Sequence, residues 1–187
     1  FTKFQPSITG AWINKEGDDE RTLVCCGGYV FMVEYNPVNT AFNYAGGGRY
    51  TEKEGVIIFE YEFSKKKDEQ ENIGIPATMK FSITGNKLTV FGTDSSKNLL
   101  TRIDDGSGEL AGIWQLKSRS NNGKMEETKE PLKTLKILSG TLFQCVTFNT
   151  VTNEFLGCYG GRYTYKDGKY TERIQFYWKK SDKVGTA

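Results

Sequence analysis

The side chains able to do chemistry in this chain are few, and the most informative one is missing. None of the 187 residues is histidine. That removes the commonest general base, the usual switch near neutral pH and the favoured neutral metal ligand. Four cysteines remain, Cys25, Cys26, Cys145 and Cys158, and none has the Cys-x-x-Cys spacing of a metal pair. No Ser–His or Cys–His couple is available to activate a nucleophile. Glu60 and Glu62 alternate with aromatic residues in "FEYEF", which puts both on the outer side of a strand, where solvation accounts for them better than acid–base pairing. The glycine clusters 46–48 and 160–161 would cradle a phosphate only at the start of a helix. No helix pattern follows, and glycine inside a strand serves a bulge or a bend. The expectation is a protein that is not an enzyme and uses no metal and no cofactor.

Composition narrows the class. Hydrophobic residues make up 37%, aromatic residues 13%, and 21 glycines stand against 4 prolines, which suits a β-rich globular chain and not a disordered one. No apolar run approaches the ~20 residues of a membrane helix, so no membrane span is expected. The net charge of +2 gives no reason to expect nucleic acid as a partner. Residues 1–108 carry 12 Lys/Arg against 15 Asp/Glu, and residues 109–187 carry 13 against 8, an imbalance read as ordinary surface variation. The chain opens at Phe1 without an apolar leader, so any export signal is expected to have been removed or never to have been present.

The elements that must position these residues are written twice. "GGRYTEKEG" at 47–55 returns as "GGRYTYKDG" at 160–168, an offset of 113 that also brings Val33 onto Val146 and Phe63 onto Phe176. "GAW" at 10–12 returns as "GIW" at 112–114, an offset of 102, and the polar stretch "KSRSNNGKMEETKEP" accounts for the extra 11 residues as a loop. A period near 100 residues is domain-sized, too long for a solenoid unit. Within the first copy, "FEYEF" and "ATMKFSI" alternate apolar and polar residues with period two, the pattern of strands with one buried face. Strands are expected near 9–14, 22–35, 41–52, 56–65, 76–84, 87–93 and 98–104, with a hairpin turn at Gly85 and Asn86. Such a meander removes its edges by closing into a barrel.

Gly-x-Trp at the head of each copy, followed by a meander, resembles the mark of lipocalins and their calycin relatives. The resemblance implies that Trp12 plugs one end of the barrel, that Arg102 in "LLTRID" lies across it, and that Trp114 is the second copy's plug. The whole chain is also similar to tandem lipocalin-like domains of uncharacterised secreted bacterial proteins, through "GGRYTYKDGKYTE". That family brings no activity, but it implies a secreted protein, or one of the periplasm or cell envelope. The fold class expected is therefore all-β: two tandem lipocalin-like antiparallel meander barrels, residues 1–108 complete and residues 109–187 lacking the last strands. Ala187 stands opposite Gly74, so nothing in the second copy matches 76–104 or Arg102. An unfinished sheet is expected to complete itself by packing on the first barrel or by strand exchange in a homodimer.

The site residues follow from this frame. Phe59, Tyr61, Phe63, Met79 and Phe81 fall on the alternating face expected to line the first barrel, where a small apolar ligand would sit. Eight strands leave an interior that side chains can fill or that holds one small ligand, and both outcomes stay open. Cys145 and Cys158 are expected side by side across a hairpin centred near residues 151–152, either bridged or as two buried thiols. Glu172 takes the place of Phe59, so it either faces inward and needs Arg162 or Arg173 as partner, or sits at a solvated rim. The function expected is a non-enzymatic binding module for a small hydrophobic or amphipathic ligand. The alternative is an envelope or extracellular interaction module that binds protein or glycan through its surface.

Overall fold

The computed structural model describes residues 7–92 and 96–187. Eight antiparallel strands follow one another around a closed barrel: β1 (Gly10–Glu16), β2 (Asp19–Cys26), β3 (Tyr29–Tyr35), β4 (Phe42–Lys53), β5 (Val56–Ser64), β6 (Pro76–Thr84), β7 (Lys87–Phe91) and β8 (Lys97–Asp104). Pairing of β1 with β8 closes it and sets Trp12 opposite Arg102. The stretch 22–35, expected as one strand, is a hairpin. Gly27 and Gly28 both have positive φ, +60° and +75°, and supply the tight turn that reverses the chain. The strand expected at 87–93 ends at Phe91, and Thr93 lies outside the described residues. One short helix, α1 (Lys67–Gln70), joins β5 to β6.

One barrel closes, not two. Strands β9 (Gly112–Gln115), β12 (Leu132–Leu138), β13 (Leu142–Asn149), β14 (Phe155–Lys166) and β15 (Lys169–Tyr177) form an open sheet in the order β15-β14-β13-β12-β9. This is the order of β5 back to β1 in the barrel. The stretch expected as a plain loop holds a separate hairpin, β10 (Ser118–Asn121) and β11 (Lys124–Glu127), turning at Asn122-Gly123 with both residues at positive φ. Beyond a short 3-10 turn at Ser181–Lys183, the backbone of Ile174 at the outer edge of β15 bonds Gly185 and Thr186 at 2.9 and 3.0 Å.

The repeated "GGRYT" has a structural cause. Each copy places a β-bulge between its two glycines, at Gly47/Gly48 against β5 and at Gly160/Gly161 against β15. A Cβ on Gly48 would lie 1.9 Å from the Glu60 carbonyl oxygen, and one on Gly161 would lie 2.1 Å from that of Arg173. Only glycine lets the backbones approach so closely. The bulge reverses the alternation beyond it. That corrects one expectation: Phe63 does not line the barrel interior with Phe59 and Tyr61 but points outward. Phe176 is turned in the same way, away from the face of Glu172 and Ile174.

The outward face of β1–β5 packs on one face of the open sheet, and this seam is the largest apolar cluster of the molecule. Phe31, Val33, Tyr35 and Phe63 from the barrel meet Ile137, Val146, Phe148, Phe155 and Phe176 from the sheet. Phe63 stacks on Phe148 with ring centroids 5.5 Å apart, and Tyr35 meets Phe176 at 4.9 Å. Polar bonds fix the register of the two layers. Lys133 donates to Glu62 at 2.7 Å, and buried Gln144 donates to Thr22 at 3.0 Å. At one corner the Asp104 carboxylate accepts bonds from Ser139, from the backbone N–H groups of Gly140 and Thr141, and from the Thr141 hydroxyl.

The cysteines also need a correction. Phe148 does face Phe155, but a second bulge beside it shifts the ladder by one residue. Cys145 then pairs with Tyr159, and Val146 pairs with Cys158. Residues paired one step apart point to opposite faces, so Cys158 enters the seam while Cys145 faces away from it. All four cysteines are free thiols and buried.

Two outcomes follow from the seam. Phe148→Ala should destabilise the whole chain by about 3–5 kcal/mol in urea, in a single transition; loss confined to a separate early transition would show the two layers to be independent. Burial raises the Glu62 pKa, but the hydrogen bonds from Lys133, Arg49 and Tyr29 outweigh it and leave the carboxyl below its ordinary range. Its contribution is therefore complete above the unfolded value of about 4.3 and lost as pH falls through the depressed folded value. Glu62→Gln should lower the urea midpoint at neutral pH and flatten its fall in acid.

Candidate functional site

The barrel interior is closed at one end and graded toward the other. Trp12 is fully buried at the closed end, with its indole N–H bonded to the Ile8 carbonyl at 2.8 Å. The Arg102 guanidinium lies 3.9 Å from the indole ring centroid and donates to the carbonyls of Thr9 and Ser7 at 2.8 and 3.2 Å. Three backbone or ring acceptors for one cation make this end rigid as well as shut. Above the plug, Cys25, Ile57, Phe59, Phe81, Leu88 and Leu100 are buried in a single apolar cluster. Leu23, Val30, Tyr61, Met79, Ile83 and Val90 pack on this cluster and are only partly buried; Leu23 pairs with Trp12 and Val30 with Cys25 near the closed end, whereas Val90, paired with Asn98, lies toward the other. Of the residues expected to line the barrel, Phe59, Tyr61, Met79 and Phe81 thus meet there, and Phe63 lies in the seam.

The inward positions one step beyond Trp12, Leu23 and Leu100 are polar. Asn14, Arg21 and Asn98 occupy them, and Glu34 follows Val30 and Met32 along β3. Arg21 donates to Glu34 at 2.8 and 3.0 Å and to the Asn98 side-chain oxygen at 3.2 Å. Asn14, Glu16, Asp19, Arg21 and Glu34 line an open recess there. On the β5 side, the Tyr44 hydroxyl and Ser64 both donate to Glu69 of α1, at 2.7 and 2.6 Å, which holds the short helix against the rim. The site is an apolar cluster sealed at one end by Trp12, with a hydrogen-bonding recess at the other.

The thiols add no reactivity to it. Burial, followed by the neighbouring Cys26 and Glu52, pushes the Cys25 thiol well up, and burial lifts Cys26 to about 11. Burial likewise raises Cys145 and Cys158. All four stay protonated near neutral pH and behave as small apolar groups. Among the described residues no group of three or more Cys, Asp or Glu is placed to hold a metal ion, and no helix is long and apolar enough to cross a membrane.

In the open sheet, the face opposite the seam corresponds to the barrel interior; no strand closes over it, but Leu138, Phe143, Tyr163 and Ile174 form a small buried cluster there. Glu172 lies on it with Ile174 and is partnered by neither Arg162 nor Arg173. It pairs with Lys136 of β12, across the two strands that lie between them, and accepts the Tyr170 hydroxyl at 2.7 Å. Trp114, expected as the second plug, is 52% exposed, with its indole N–H on the Leu110 carbonyl at 3.0 Å. Its strand β9 is the edge of the sheet, so no strand returns to cover the ring as β8 covers Trp12.

Sequence reasoning missed the polar recess and Lys136. Both leave a trace in the chain. Arg21 and Glu34 continue the alternation of "RTLV" and "MVE", and Lys136 stands where the repeat has Leu23.

Comparison with known proteins adds little to function. Residues 109–187 match a family model described as a domain of unknown function, DUF4488. A crystal structure of the uncharacterised protein YLR301w from Saccharomyces cerevisiae is similar at a TM-score of 0.49 and 11% identity, over 95% of this chain and 88% of that one. No curated protein sequence matches the chain.

If the plug seals the barrel, Trp12→Ala should cost about 3–5 kcal/mol in chemical denaturation. A loss below about 1 kcal/mol would mean that the closed end is held by other contacts.

Proposed function

We propose that this protein is a non-enzymatic binding module that holds one small amphipathic molecule in the barrel. On this reading its two units are copies of one lipocalin-like domain, and it works outside the cytoplasm, in the periplasm, the cell envelope or the medium. The carrying observation is the change in chemistry along the inward faces, from the sealed Trp12–Arg102 end, through an apolar cluster, to the polar Arg21, Glu34 and Asn98 at the other end. An apolar body would gain about 25 cal/mol per Å² buried against that cluster. A polar head would exchange water for the hydrogen bonds of the recess.

The test is a titration with a dansyl-tagged fatty acid and, separately, a dansyl-tagged fatty amine. At least one should show a saturable rise in emission with a dissociation constant at or below about 10 μM. Met79→Trp, which fills the interior from β6, should weaken that binding by at least about tenfold while leaving the fold intact by near-ultraviolet circular dichroism. No saturable binding of either probe, or equal binding by the Met79→Trp protein, would overturn the reading.

A further inference from the structure

The face of the open sheet opposite the seam, buried at Cys145 and Phe143 and open to water at Trp114 and Tyr170, carries a row of side chains that the fold itself does not require. Cross-strand pairing sets Trp114, Lys136, Cys145, Tyr159 and Tyr177 side by side, one from each of the five strands. Four interstrand steps of about 4.8 Å make this row roughly 19 Å long. The Lys136 ammonium reaches inward over Phe143, Tyr159 and Tyr170, at 5.1, 5.6 and 5.7 Å from their ring centroids, and bonds Glu172. Tyr159 and Tyr177 stack at 5.2 Å and 16°. Trp114 and Tyr170 stand at the surface, 52% and 37% exposed. At the matching positions of the barrel, Leu23 and Phe59 do the packing. An ion pair set among aromatic rings is therefore a feature of this face, not of the architecture.

The geometry points to a second binding site here, for a neutral oligosaccharide. The choice of ligand follows from what each alternative would do to the Lys136–Glu172 pair. An acyl chain or an apolar protein surface would cover both charges without bonding them, which is costly. A polyanion would meet Glu172, and a polycation would meet Lys136. A sugar ring presents C–H faces to Trp114 and the tyrosines and hydroxyls to the charged pair. A carboxylate has about four lone-pair sites and an ammonium three N–H donors, so both keep hydrogen-bonding capacity beyond their mutual bond. The length of the row suits a chain of sugars better than a single one. The site is independent of the barrel and does not rest on the ligand proposed there.

Isothermal titration of the full chain with maltohexaose, cellohexaose and chitohexaose tests it. At least one should bind with a dissociation constant between about 10 μM and 1 mM. Trp114→Ala and Tyr170→Ala change exposed residues, and each should weaken that binding by about tenfold or more with an unchanged denaturation midpoint. Glu172→Gln should also weaken it. Leu99→Ala, an exposed change on the barrel wall, and Met79→Trp should leave it as it is. Absence of heat with all three sugars up to about 5 mM, or binding that survives both the Trp114 and Tyr170 substitutions, would overturn the assignment.

Discussion

Everything else in this molecule is arranged around the apolar seam between the barrel wall and the open sheet. A barrel normally exposes its outer face, and an open sheet exposes two. Here the outer faces of β1–β5 and one face of β12–β15 are removed from water together, by residues such as Phe31, Phe63, Phe148 and Phe176. Each large side chain buried this way contributes about 1.5–3 kcal/mol relative to exposure. The glycine-pair bulges make the seam possible, because without the reversal they impose Phe63 and Phe176 would point into the barrel and onto the opposite face of the sheet.

The seam also gives the barrel two unlike walls. Strands β1–β5 are clamped between two layers of side chains, whereas the outer face of β6 alternates exposed residues with inward Phe81 and Met79. The barrel thus has one rigid wall and one that faces water. Its polar recess lies at the end away from the Trp12–Arg102 plug. In the sheet, the face away from the seam keeps only a small buried cluster, and there the Lys136–Glu172 pair stands where the barrel interior has Leu23 and Phe59.

Much of this was legible in the chain. Period-two alternation in "FEYEF" and "ATMKFSI" pointed to strands, the offset of 113 aligned stretches that form strands in the same order, β2–β5 and β12–β15, and the resemblance carried by Gly-x-Trp implied the stacking found between Trp12 and Arg102. The misplaced faces share one physical source. A bulge moves every later side chain to the other face, and alternation carries no mark of where one falls. That single effect misplaced Phe63 and Phe176 and put Cys145 and Cys158 on one side of the sheet. Lys136 as the partner of Glu172 was hidden for a different reason: it comes from a strand 36 residues earlier, and only the assembled sheet brings them together. The polar stretch after Trp114 was read as a loop because its strands are short and charged, although Asn122-Gly123 marks a hairpin turn.

The central claim is that the two layers form one cooperative body through the seam, with β6–β8 as the less protected wall. Native-state hydrogen exchange read strand by strand tests it most directly. The slowest amides should lie in β2, β3 and β13 together, with equal opening free energies, and those of β6 and β7 should exchange through smaller openings. Exchange of β12–β15 as a separate unit while β2 and β3 stay protected, or protection of β6 and β7 equal to that of β3, would contradict it.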